Sequence, residues 1–138
     1  MGDRGNIKIT QYNAFKEQDE APLYLYTHWT GSRVCQDLAK AIEKGRTFDS
    51  AYFTRTVFQV MTQRFTSDDE LDTGFGIAVG QEQDNEHEIP HVYWEDGKNQ
   101  EMRIDYCGAT YTAEEFVKFF GGFDKAPPFC QGECCEEG

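Results

Sequence analysis

HVYWEDGKNQEMRIDY, residues 91–106, is the stretch on which the fold turns. Asp96-Gly97 stands between two segments rich in aromatic and β-branched residues, the signal of a hairpin whose tight turn requires positive φ. Shortly after it comes TAEEF, where Thr112 is followed three residues later by Glu115. That spacing is a capping box, in which each side chain satisfies the other's free backbone N–H at a helix start. The amphipathic FVKFFGG continues the helix, and Gly121-Gly122 stops it. A hairpin feeding a capped helix implies a sheet with helices laid against it, and the rest of the chain is consistent with that.

Upstream, GNIKITQYN (residues 5–13) alternates Ile7, Ile9 and Gln11 against Lys8, Thr10 and Tyr12, which suits a half-buried strand near a sheet edge. PLYLYTHW (residues 22–29) is dense in strand-forming residues and is expected to pair with it as a hairpin. Gly31-Ser32 opens a helix with Val34, Cys35, Leu38, Ala39 and Ile42 on one stripe and Gly45 at its end. Asp49-Ser50 opens a second, whose stripe runs through Phe53, Val57, Val60 and Met61 to Arg64-Phe65, although its Thr and Val residues lower helix propensity. GFGIAVG (residues 74–80) reads as a short strand between the polar loops TSDDELDTG and QEQDNEHEIP. The order ββααβββα predicts an α+β fold, an antiparallel sheet of about five strands with two to three helices packed on one face. Residues 1–125 are expected to form one domain, and 126–138 a flexible Cys/Glu-rich tail with little to pack.

The 138 residues suffice for a single core, and 11 Phe, 7 Tyr and 2 Trp can build it from rings. No apolar run approaches the ~20 residues that span a bilayer. MGDRGNIKIT lacks the apolar stretch of a signal peptide, and Asn6 stands where a myristoylation pattern wants Ser or Thr. A cytoplasmic protein is expected. An odd number of cysteines, five, four of them in the last 32 residues, argues for reduced thiols over a disulfide scaffold.

The net charge is −12, unevenly placed. Residues 1–65 carry nine Lys/Arg against seven Asp/Glu, and residues 66–138 four against eighteen. Thr66 to Asp96 holds ten acidic residues and no Lys or Arg, which disfavours direct binding to nucleic acid or anionic membranes and favours a basic partner. Asp68, Asp69, Glu70, Asp72, Asp84, Glu86 and Glu88 are the expected partner-binding residues.

DNEHEIPHVYW (residues 84–94) is the nearest approach to a catalytic signature. HEIPH superficially resembles the helical HExxH of zinc proteases, but Pro90 breaks a helix and pushes Ile89 into an extended conformation. In an extended chain His87 and His91 lie about 13 Å apart, too far to share one zinc without a sharp turn. A site of Asp84, Glu86 and His87 with His28 stands beside the plainer reading of an acidic loop feeding a strand. DDELDTG lacks the Gly and Glu that an EF-hand needs at its sixth and twelfth positions. GFGIAVG lacks the GxGxxG spacing of a nucleotide cradle, and its glycines suit a bulge or a close backbone approach. Cys107, Cys130, Cys134 and Cys135 make a four-thiolate zinc site if the tail folds back, and otherwise belong to an oxidisable tail. Cys35 is a small core residue. His28, as a general base, is weighed against a structural role at a strand end.

PLYLYTHWTG, YFTRTVFQVM, TGFGI and DNEH, in that order, resemble a family of small uncharacterised proteins encoded by phages and their bacterial hosts. The likeness runs from about Leu23 to His87. It implies a phage or prophage setting and the host cell cytoplasm, and its motifs match Thr27, His28, Trp29, Arg55, Asp84 and His87, but it brings no activity. Two functions follow as expectations. One is a non-enzymatic interaction protein, an inhibitor whose acidic half imitates nucleic acid on a basic host surface, with no cofactor. The other is a small hydrolase or ligand-binding enzyme using His28, Arg55, Asp84 and His87, with zinc as its candidate metal. An enzyme has to gather those four side chains in one pocket.

Overall fold

The computed structural model describes residues 3–11, 22–28, 30–63, 74–83, 85–95 and 101–121. Alternation along Gly5–Thr10 (β1) turns Ile7 and Ile9 inward, and the same alternation in Leu23–Thr27 (β2) turns in Leu25. The two strands pair antiparallel with Ile7 opposite Leu25, so the expected hairpin partners do meet. After Val34–Lys44 (α1) and Ser50–Thr62 (α2), Phe75–Val79 (β3) returns antiparallel to β2. His91–Trp94 (β4), Met102–Tyr106 (β5) and Ala109–Thr112 (β6) complete a sheet of order β3-β2-β1-β4-β5-β6, and Ala113–Phe120 (α3) follows.

The α+β class is as expected, with three differences in the sheet. It has six strands, and β1 pairs with β4 in parallel, Ile9 beside Val92, so the sheet is mixed. β1 is also one of its interior strands, although its sequence suggested a place near an edge. A strand with one polar face reads alike in either position, and here a loop covers part of that face. The sixth strand begins at a two-residue turn, Cys107-Gly108, with φ of 51° and 82°. Two successive left-handed residues match the twist of a tight hairpin, and cysteine is an unusual choice for the first of them. The Asp96-Gly97 turn lies outside the described residues, but the segments it joins pair as expected, Trp94 opposite Met102.

The helical stripes fall where their periodicity puts them. In α1 the residues Val34, Cys35, Leu38, Ala39 and Ile42 are buried, and so are Gln36, Asp37 and Ala41, because α1 contacts α2, α3 and β1. In α2 the carboxylate of Asp49 accepts from Tyr52 N, and Phe53, Val57, Val60 and Met61 face the core. Its Thr54 and Thr56 hydroxyls donate to carbonyls one turn back, which satisfies them inside a helix they do not favour. Arg64-Phe65 lie outside the described residues. In α3 both halves of the Thr112–Glu115 capping box are formed, and Phe116 and Phe120 are buried. Phe120 meets Tyr106 edge to face at 5.6 Å, and Phe53 meets Trp94 at 6.0 Å, so rings do build much of the core.

One close approach sets the geometry of the sheet's end. A Cβ on Gly31 would lie 2.6 Å from Arg4 C, and one on Gly5 2.7 Å from Gly31 Cα. The short 3-10 turn Gly31–Arg33 therefore sits backbone to backbone on the start of β1, sealed by Gly31 N donating to Asp3 O. Gly31→Ala is expected to destabilise the protein by about 1–3 kcal/mol through overpacking, measured by urea denaturation. A loss well under 1 kcal/mol would mean that the two segments part easily.

Candidate functional site

The chain before β4 is drawn onto the start of β1 by Asn6. This side chain points away from Ile7 and Ile9, on the sheet face opposite the helices, and is fully buried. Its amide donates to Gln83 O (3.2 Å) and Asn85 Oδ1 (3.0 Å), and its oxygen accepts from Gln83 N (3.3 Å). Two residues back, Arg4 O accepts from Glu86 N, while Arg4 N and its guanidinium both donate to the Glu86 carboxylate (3.1 and 2.8 Å). Asn85 also donates to His87 O, turning the chain on itself. Residues 85–90 form no helix, which agrees with the rejection of the zinc-protease reading on account of Pro90.

His87 comes to rest on Asp3. Its Nε2 lies 2.6 Å from Asp3 Oδ1, while Asp3 Oδ2 accepts from the backbone N–H (3.0 Å) and hydroxyl (2.7 Å) of Ser32. Partial burial pushes the Asp3 carboxyl up, but the hydrogen bonds from Ser32 and His87, with the charge of His87, outweigh it and hold the group below the usual carboxylate range. Asp3 is thus an acceptor, and Nε2 of His87 carries the proton. In a neutral ring Nδ1 then holds the lone pair. Glu86 is also held low, chiefly by the hydrogen bonds from Arg4. Asp3, Glu86 and His87 each offer a ligand atom within 4.8 Å of the others, so a cation could be held here.

Of the predicted catalytic quartet, Asp84 lies outside the described residues, and His28, Arg55 and His87 each make separate contacts. His28 adjoins the cluster through its backbone, its O accepting from Asp3 N (2.7 Å), while its Nδ1 lies 3.0 Å from the Tyr26 hydroxyl. Arg55 stands on α2, donates to Gln59 Oε1 (2.6 Å), and lines an apolar cleft of ≈ 510 Å³ with Phe58 and Ile77 that includes neither histidine. Trp29 also lies outside the described residues. His91 starts β4 and bonds Thr10 Oγ1 (2.9 Å) instead of sharing a metal with His87. Burial, with help from Lys8, pushes the His91 imidazole below its ordinary value.

Of the expected partner-binding carboxylates, Glu86 and Glu88 are exposed, as is Glu82, while Asp68, Asp69, Glu70, Asp72 and Asp84 lie outside the described residues. Cys107 is the turn residue before β6 and Cys35 is buried in the core, while Cys130, Cys134 and Cys135 with the whole of 126–138 lie outside the described residues. Gly80 serves a positive-φ turn after β3, whereas Gly76 faces open space, so no close backbone approach explains it. Asp3, Arg4 and Ser32 were missed. Each becomes a partner only through the Gly5–Gly31 contact, and an Asp or Ser beside a glycine is too common to signal one.

The fold and site define an α+β protein with one mixed sheet, helices on one face, and an acidic loop clasped to the sheet's opposite face by an amide and a carboxylate–imidazole pair. No protein-family model matches the chain, and no curated protein or solved structure matches it significantly. Among the described residues no helix is long and apolar enough to cross a membrane.

Asp3 is lower in pKa when folded than when unfolded, so its contribution is full above the ordinary aspartate value of about 3.9 and is lost as pH falls through the lowered one. The stability difference between the wild type and Asp3→Asn, read from urea midpoints, is expected to shrink as pH is lowered below about 4. A difference that persists unchanged at the acid end would contradict the clasp.

Proposed function

We propose that the chain is a small acidic interaction protein of phage type, which occupies a basic, nucleic-acid-binding surface of a host protein in the cytoplasm as an inhibitor, in the manner of a DNA mimic. The observation that carries this reading is the clasped loop. Glu82, Glu86 and Glu88 are exposed on a segment held to β1 by Asn6, Arg4 and Asp3. Charges on an ordered support lose less conformational freedom on docking than charges on a loose one. Eighteen acidic residues follow residue 65 in the sequence, and a net negative charge of that size attracts a basic partner. The phage setting rests on the sequence resemblance and belongs to the proposal.

The alternative is a small metal-dependent hydrolase or ligand-binding enzyme. The lone pair on His87 Nδ1, with Asp3 orienting the ring, favours it as a general base. The cleft that Arg55 lines includes neither His28 nor His87, which weighs against the pocket that reading requires.

The test is affinity capture from a bacterial lysate at about 50 and 200 mM salt, followed by affinity measurement on the purified partner. Binding is expected to weaken at least about tenfold over that range, as for other charge-driven complexes. Glu82→Lys/Glu88→Lys, which alters two side chains that bond no described residue, is expected to weaken it similarly. Affinity indifferent to both salt and charge reversal would overturn the proposal.

A further inference from the structure

The cluster at the start of β1 has a chemistry that an acidic docking loop does not need. Two carboxylates and an imidazole, from segments more than eighty residues apart, converge with one ligand atom each inside 4.8 Å. We infer that Asp3, Glu86 and His87 form a binding site for one divalent cation of the zinc class. An imidazole with two carboxylate oxygens is a donor set that zinc and neighbouring transition metals accept, whereas calcium and magnesium prefer oxygen alone.

The surroundings support this in three ways. Ser32, outside the set, gives Asp3 Oδ2 two hydrogen bonds, which aims the other oxygen at His87, as outer partners of metal-bound carboxylates do. The backbone behind both carboxylates is tied down, with Asp3 bonded to His28 and Gly31 and Glu86 N to Arg4 O, so little ordering is left there for the metal to impose. His87 and Asp3 are only part-buried, with side chains 19% and 34% exposed, so an ion can reach them.

Binding rearranges the cluster modestly. Two ligands at 2.0–2.2 Å from a tetrahedral zinc stand roughly 3.4 Å apart. The 2.6 Å contact between Asp3 and His87 therefore opens, and Glu86 moves in. The ring binds through Nε2 as its other neutral tautomer, with the proton on Nδ1. Glu86 has to give up the Arg4 guanidinium, which makes Arg4 an internal competitor for the site. This last feature separates a metal site from a hydrogen-bonded clasp, in which Arg4 only helps.

The inference stands independently of the acidic-surface reading and is tested without any partner. Zinc alone is titrated calorimetrically into the full chain carrying Cys107, Cys130, Cys134 and Cys135 as serines, so that tail thiolates do not compete. One ion per chain is expected, with affinity reduced roughly tenfold or more by His87→Asn or Asp3→Asn. Arg4→Ala is expected to bind several-fold tighter, and Glu43→Gln, at an exposed position of α1, to bind as the parent does. Equal affinity in parent and His87→Asn, or weaker binding in Arg4→Ala, would overturn the site. Should either ligand variant fail to fold, Mn²⁺ added to the parent protein reads the location directly by NMR. Broadening that begins at His87, Glu86 and Ser32 supports the site, and broadening centred elsewhere overturns it.

Discussion

The side-chain amide of Asn6 is the interaction on which the described structure depends most. A buried amide with unmet donors or acceptors costs free energy on the order of 1–3 kcal/mol, and Gln83 and Asn85 meet both its donor and its acceptor. The side chain thereby converts a requirement of the core into a location for a surface loop. It also decides where β4 begins. Once the loop is fixed, Lys8 N donates to Pro90 O and the chain enters the sheet parallel to β1.

Around that amide the contacts are ordered by distance along the chain. The 3-10 turn lies on Arg4 and Gly5 because Gly31 has no side chain, and this brings Ser32 to Asp3. Asp3 then receives His87, and Arg4 receives Glu86. The exposed Arg4–Glu86 ion pair adds little stability by itself, since solvent screens it and two long side chains must be ordered. What it does is orient the Glu86 carboxylate, both oxygens of which accept from Arg4.

Local signals in the sequence were legible wherever a single element satisfied itself. The α3 capping box, the α1 stripe ended by Gly45, and the pairing of β1 with β2 all followed from spacing within one or two elements. The interior place of β1 did not, because its polar face is covered by a loop some eighty residues away. β6 was missed because Cys107-Gly108 performs a turn usually given to Asn-Gly. In the candidate site, His87 and Glu86 were singled out by the sequence and lie together in the cluster, but Asp3 and Ser32 acquire meaning only in three dimensions. Arg55 likewise acquires its surroundings only in three dimensions, where α2 carries it to the cleft beside Ile77.

Amide hydrogen exchange at Gln83 and Glu86 tests the clasp most directly, because both N–H groups are donors to the start of β1. The structure requires both to exchange slowly in the wild type, and both to be released in Asn6→Ala while the amides of α1 stay protected. Exchange at the rate of an unstructured peptide in the wild type would mean that the loop is not held, and would remove the support from the acidic surface and the cation site together.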